Sequence, residues 1–181
     1  MNLKTWARTI LTVQKYLDRI CSSIDACIEK RVGVSSYVTS KNVAANSAEC
    51  LADWIINMSE RKVNLINLNV VCIKALKNID RGYAKILALK YFDNLPSKDI
   101  IEILNLSERT YFRKLNNAHV EFENCLRRSG FDETFFSTLL KNEGWITEIY
   151  YETERMLSEQ KKDSVITFNN VFLERICRAY K

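Results

Sequence analysis

Residues 83–122, YAKILALKYFDNLPSKDIIEILNLSERTYFRKLNNAHVEF, decide the fold expected of this chain. Ile100, Ile101, Ile103 and Leu104 fall on the inner side of a short helix, and Asn105-Leu106-Ser107 follows as a tight turn with an apolar plug at its centre. Ser107 suits the cap of a second helix, because its hydroxyl can accept from one of the first backbone N–H groups, which lack intrahelical partners. At about 100° per residue, Leu115, Ala118 and Phe122 lie within roughly 40° of Tyr111 and form a buried stripe. Arg109, Arg113 and Asn116 point to the opposite side, with Thr110 and Asn117 on its flank. This is the pattern of a helix-turn-helix. Arg and Asn can bond bidentately to guanine and adenine edges, so the outward face has the chemistry needed in a DNA major groove. A helical hairpin that only packs against protein would share the alternation.

At these positions the segment resembles region 4 of bacterial sigma factors. The shared pattern is an aliphatic pair (Ile100-Ile101), Asn105 in the turn, Ser107 at the cap, Thr110 three positions on, and then Tyr111, Leu115 and Ala118. With Leu89-Lys90-Tyr91 upstream and SERTYFRKL downstream, it looks closer to the small sigma-like regulators of phages and prophages of low-GC Gram-positive bacteria. Among these are the ArpU-type transcription regulators, in which a long helical segment precedes a region-4-like module. On that likeness the resemblance extends from about Ser47 to near Arg128 and does not take in the last fifty or so residues. The resemblance implies sequence-specific binding of double-stranded DNA and contact with RNA polymerase. Autonomous sigma activity is not expected, because residues 1–80 lack the cluster of aromatic and acidic helix motifs that melts a promoter.

Composition agrees with a helical protein. The chain has 181 residues, 47% of them hydrophobic, with only four Gly and one Pro to interrupt helices, so the expected class is all-α. Net charge is +5 and unevenly spread: residues 1–80 hold 11 basic and 7 acidic side chains, residues 81–128 hold 9 and 6, and residues 129–181 hold 7 and 9. The basic excess suits phosphate attraction and the acidic tail does not. The six cysteines are dispersed with no C-x-x-C pair and there is one His, so no metal site is expected, and reduced thiols packed as small apolar residues are. No apolar run has the length of a signal-peptide core or of a membrane-spanning helix, which points to a cytoplasmic protein without membrane association.

Three segments are expected. The first, residues 1–80, is a long helical hairpin. Trp6, Ile10, Val13, Leu17, Ile20, Ile24 and Cys27 alternate at spacings of four and three, a heptad seam on a helix over residues 3–31. Gly33 then opens a polar loop that reaches Asn46 and bears Tyr37 and Val38. A second helix over residues 47–78 carries the row Leu51, Ile55, Met58, Leu65, Leu68, Cys72 and Leu76, interrupted at Lys62. A further row, Val63, Ile66, Val70 and Ile73, widens its apolar face toward a second neighbour. The hairpin can close on itself or pair with another copy as a homodimer.

The second segment, residues 81–130, is the helix-turn-helix, with Asp80 capping a helix over residues 81–92 and Pro96 at or beside the start of the next. The third, residues 131–181, is a helical extension. There Phe131, Asp132, Phe135 and Phe136 resemble a staple and cap, Gly144 ends that helix, and helices follow over residues 145–158 and 168–180. A polar link joins those two, in which residues 165–167 can also be extended.

The expected DNA-binding residues are Arg109, Arg113, Asn116 and Asn117 at the base edges, with Ser97, Lys98, Ser107 and Thr110 at the phosphate backbone. His119 borders the buried stripe and reads as a packing residue. Phe112 lies lateral to the groove face. Carboxylates such as Glu148, Glu152 and Glu159 follow ordinary surface spacing, and no nucleophile motif or phosphate loop occurs, so no enzyme, catalytic residue or cofactor is expected. The expected function is thus sequence-specific transcriptional regulation; the alternative is a helical interaction or assembly protein whose helix-turn-helix contacts protein.

Overall fold

The computed structural model describes residues 2–38 and 45–159, with side chains described over 2–34 and 48–159. The expected elements at residues 165–167 and 168–180, the side chains of Tyr37 and Val38, and Cys177 lie outside those residues. Within them the protein is all-α: α1 Leu3–Val38, α2 Ala45–Lys77, α3 Arg81–Tyr91, α4 Ser97–Ile103, α5 Glu108–Arg128, α6 Glu133–Leu139 and α7 Gly144–Ser158. The described residues form two compact units, one of residues 2–15 with 68–159 and the other of residues 16–67. The segment 1–80 is divided between these units, because both long helices run from one into the other, whereas residues 81–130 and 131–159 lie in the first.

The unit of residues 16–67 is an antiparallel helical pair. Lys62 reaches Asp25 at 2.7 Å and the Arg31 guanidinium lies 4.4 Å from the centre of the Trp54 ring, so advancing along α1 means retreating along α2. Leu17, Ile20 and Ile24 from α1 and Met58 and Leu65 from α2 are buried. Lys62 breaks the apolar row for a local reason: its ammonium is committed to the Asp25 carboxylate, which raises its pKa. α1 does not stop at Gly33 but continues to Val38. An interior Gly costs about 1 kcal/mol relative to Ala, which a helix anchored by a long buried seam absorbs.

The other unit is built around the first turns of α1. Its expected seam residues Trp6, Ile10 and Val13 are buried, but so are Leu3, Thr5, Ala7, Thr9, Leu11, Thr12 and Gln14. Polar groups can be interior on this helix because they turn back onto it. Thr9 donates to the Thr5 carbonyl at 2.9 Å, Thr12 to Arg8 at 2.9 Å, and Gln14 to Ile10 at 3.0 Å. The 131–159 segment closes over the same helix: the Trp6 ring lies 4.7 Å from Tyr150 and 5.9 Å from Phe136 between centroids. The first backbone donors of α1 are met there too, with Asn2 N–H donating to the Tyr150 hydroxyl at 2.7 Å and Leu3 N–H to Glu133 Oε1 at 3.0 Å.

Asp132 caps α6 through the Phe135 N–H at 2.8 Å, with Phe131 and Phe136 placed as a staple across the cap. Gly144 begins α7 rather than ending α6, which stops at Leu139. The Glu143 carbonyl accepts from Ile146, and its buried carboxylate accepts from the Trp145 indole at 2.9 Å, so the new helix is nucleated beside Gly144.

Candidate nucleic-acid interface

Three helices hold the candidate surface. Asp80 caps α3 by accepting from Gly82 and Tyr83 N–H, and Ile86, Leu87 and Tyr91 carry it into the core. α5 packs against α3, and Tyr111, Leu115, Ala118, Phe122, Cys125 and Leu126 are all buried. The inner stripe therefore has the phase its spacing implies. A polar clamp runs across it: Tyr91 Oη and His119 Nε2 are 2.8 Å apart with the rings edge-on. Burial, with the charges of Arg8, Lys90 and Lys4 nearby, holds the His119 imidazole well below its ordinary pKa. His119 is thus neutral and internal. Cys72, also buried, has its thiol pKa pushed up, so it is an inert packing group.

The turn between α4 and α5 is set by backbone bonds. Leu106 N–H donates to the Ile101 carbonyl at 3.0 Å and Asn105 N–H to Glu102 at 3.1 Å, the paired bonds of a Schellman motif. That motif places Asn105 at φ 48°, a left-handed conformation that Asn tolerates better than most side chains. Ser107 caps α5, accepting from Thr110 N–H at 3.3 Å while donating to Thr110 Oγ1 at 2.8 Å. Ser97, at the start of α4, lies 3.3 Å from the Tyr111 hydroxyl and ties α4 to α5. Pro96 precedes α4 as its N-cap, where its ring needs no N–H. Of the four α4 positions expected to face inward, Ile100 is buried and Ile101 and Leu104 are half-buried, but Ile103 is 55% exposed. The inner face of so short a helix centres between Ile100 and Leu104, which leaves Ile103 on its outer edge.

Arg109, Arg113, Asn116 and Asn117 are exposed together on the outward side of α5. They span about 12 Å of helix axis at 1.5 Å per residue, the length of three to four base steps at about 3.4 Å each. Lys98 is exposed on α4, and neither it nor Arg109 nor Arg113 makes an ion pair among the described residues. Further along α5, Arg127 and Arg128 are occupied by Glu123 at 2.9 Å and Glu121 at 2.8 Å. Free guanidinium groups are thereby confined to the first half of the helix. The Ser97 and Ser107 hydroxyls are engaged inside the motif, whereas Thr110 accepts from Ser107 and keeps its own proton to donate outward. Phe112 is half-buried with its ring edge-on to Tyr111, 5.0 Å between centroids. Val120 escaped the reading of the sequence: it is 48% exposed, and its phase, about 180° from Tyr111, puts it on the same outward line as Arg113.

Among the described residues no group of three His, Cys, Asp or Glu side chains could hold a metal ion, and no helix is long and apolar enough to cross a membrane.

Residues 55–123 match the model of a family described as a protein of unknown function, DUF1492. No curated protein and no solved structure matches the chain. The DUF1492 match begins within α2 and ends within α5, so it takes in α3, α4, the turn and the outward face of α5. It covers well under half of the chain and carries no activity with it. It also does not bear on the likeness to sigma region 4.

Proposed function

We propose that this protein is a sequence-specific DNA-binding transcriptional regulator whose α5 enters the major groove. The observation that carries the reading is the outward face of α5, where Arg109, Arg113, Asn116 and Asn117 stand exposed, without ion pairs, on a helix whose opposite side is locked into the core. Guanidinium and amide groups held on a rigid helix can bond bidentately to base edges. Lys98 and the Thr110 hydroxyl flank that face as phosphate contacts, and Ser97 and Ser107 act by holding α4 and α5 in place. Phage or prophage origin, and contact with RNA polymerase, rest on the likeness to sigma-like regulators alone.

A second reading has its own observation. Ile103 and Val120 leave apolar surface exposed beside the polar face, which suits a protein partner for the same helices. Selection of duplexes from a random pool, followed by titration of a selected site at two salt concentrations, separates the two. A DNA-binding module recovers a defined motif, and its affinity falls steeply with salt as counterions are released from neutralised phosphates. Failure to enrich any sequence, with no salt-dependent duplex binding, would remove the DNA-binding reading and leave the protein-contact one.

A further inference from the structure

α2 has two apolar faces, and among the described residues one is buried and the other exposed. Met58, Leu65, Leu68, Cys72 and Ala75 are buried, whereas Ile56, Val63, Ile66, Val70 and Ile73 are between 37% and 57% exposed. The exposed set is entirely β-branched and follows heptad spacing along one uninterrupted helix, with Ser59 and Lys77 falling at the remaining positions of the stripe. It covers about 26 Å of axis at 1.5 Å per residue. Scattered apolar residues on a surface need no explanation, but a continuous heptad seam left uncovered does.

From this stripe and its charges we infer that α2 docks against α2 of a second copy, antiparallel, about a twofold axis passing near Ile66 and Val70. Charge selects both the occupant and its direction. Asp53, Glu60, Asn67 and Lys74 occupy one flank of the stripe at seven-residue intervals, acidic toward the N-terminal end of α2 and basic toward its C-terminal end. Glu60 and Lys74 are both exposed and without an ion pair among the described residues. Antiparallel pairing sets Val63 against Ile73 and Ile66 against Val70 of the other copy, and brings Glu60 of each copy beside Lys74 of the other. Parallel pairing would leave both charges without a partner. On the opposite flank, Lys62 is already taken up by Asp25 and does not compete. Self-complementarity of this kind is what a twofold interface requires. The inference does not depend on the DNA-binding reading.

Sedimentation of the full chain should give a dimer mass over about 1 to 100 μM, the range of a modest dissociation constant. Val63→Glu with Val70→Glu should weaken dimerisation about tenfold or more. Because both sites are on the surface, its helical circular dichroism and thermal midpoint should stay those of the parent. The reversals Glu60→Lys and Lys74→Glu should each weaken the dimer, and the two together should restore it. A monomer throughout, a trimer, or a dimer insensitive to Val63 and Val70 would overturn the proposal. A dimer that the paired reversal failed to restore would overturn the antiparallel register.

Discussion

Arg113 is the clearest residue on which the functional reading depends. Its guanidinium has no carboxylate to hold it among the described residues, and its helix is fixed from behind by Tyr111 and Leu115. Arg113→Ala should weaken binding to a selected duplex by about 1 to 3 kcal/mol, the cost of a lost bidentate base contact, and relax preference at one base position. Circular dichroism should not change, and equal affinity of variant and parent would remove Arg113 from the readout. His119 offers a test of the interior instead. It is neutral in the folded state, with its pKa depressed, while in the unfolded chain it titrates near 6.5. The unfolded state therefore gains a proton that the native state refuses. Stability should be unaffected by His119 above about pH 7 and fall by up to about 1.4 kcal/mol per unit below about pH 6.5. Denaturant titrations at a series of pH values should show this slope in the parent and lose one proton of it in His119→Phe. An unchanged slope would mean that His119 is protonated in the fold.

At the scale of the element, the turn between α4 and α5 is the point of control, since its angle aims the outward face. Asn105 adopts φ 48° because the Schellman bonds from Asn105 and Leu106 leave no other conformation. Glycine pays no Cβ penalty there, while alanine meets it in full, at roughly 1 to 2 kcal/mol for an ordinary L-residue. Asn105→Ala should therefore lower the thermal midpoint, and Asn105→Gly should match the parent or exceed it. The reverse order, with Asn105→Ala more stable than Asn105→Gly, would contradict the left-handed turn. Much of this element was legible in advance: Asp80, Ser107 and Asp132 cap helices where their side chains suggested, and the stripe from Tyr111 to Phe122 is buried as its spacing implies. Gly33 was misleading because a long helix carries it through, and Gly144 because it stands at the start of α7 and not at the end of α6.

At the scale of the whole molecule, the start of α1 is the organising feature. Trp6, fully buried between Phe136 and Tyr150, joins positions far apart in sequence. Trp6→Ala should destabilise the protein by about 3 to 5 kcal/mol, the usual range for removing a large buried aromatic, measured by denaturant unfolding. A cost near zero would mean that α1 is not part of that core. Val13 and Leu17 are likewise inside, so replacing both with Glu should unfold the chain rather than release a folded monomer, as loss of cooperative melting would show. The heptad seam of α1 is buried from Trp6 to Ile24 among the described residues.

By itself the sequence determined the helical class, the extent of most helices, their caps, and the phase of α5 with its outward Arg and Asn residues. These are local properties, set by 3.6-residue periodicity, cap chemistry and the scarcity of Gly and Pro. Tertiary structure alone decided which apolar rows are covered. Two rows on α2 are apolar at helical spacing, yet Leu65 is buried and Val63 exposed. Burial depends on what other parts of the chain bring to a face, and spacing along one helix carries no record of its neighbours. For the same reason nothing local to α1 announced that Thr5, Thr9 and Thr12 would be interior, or that residues 131–159 would close over Trp6.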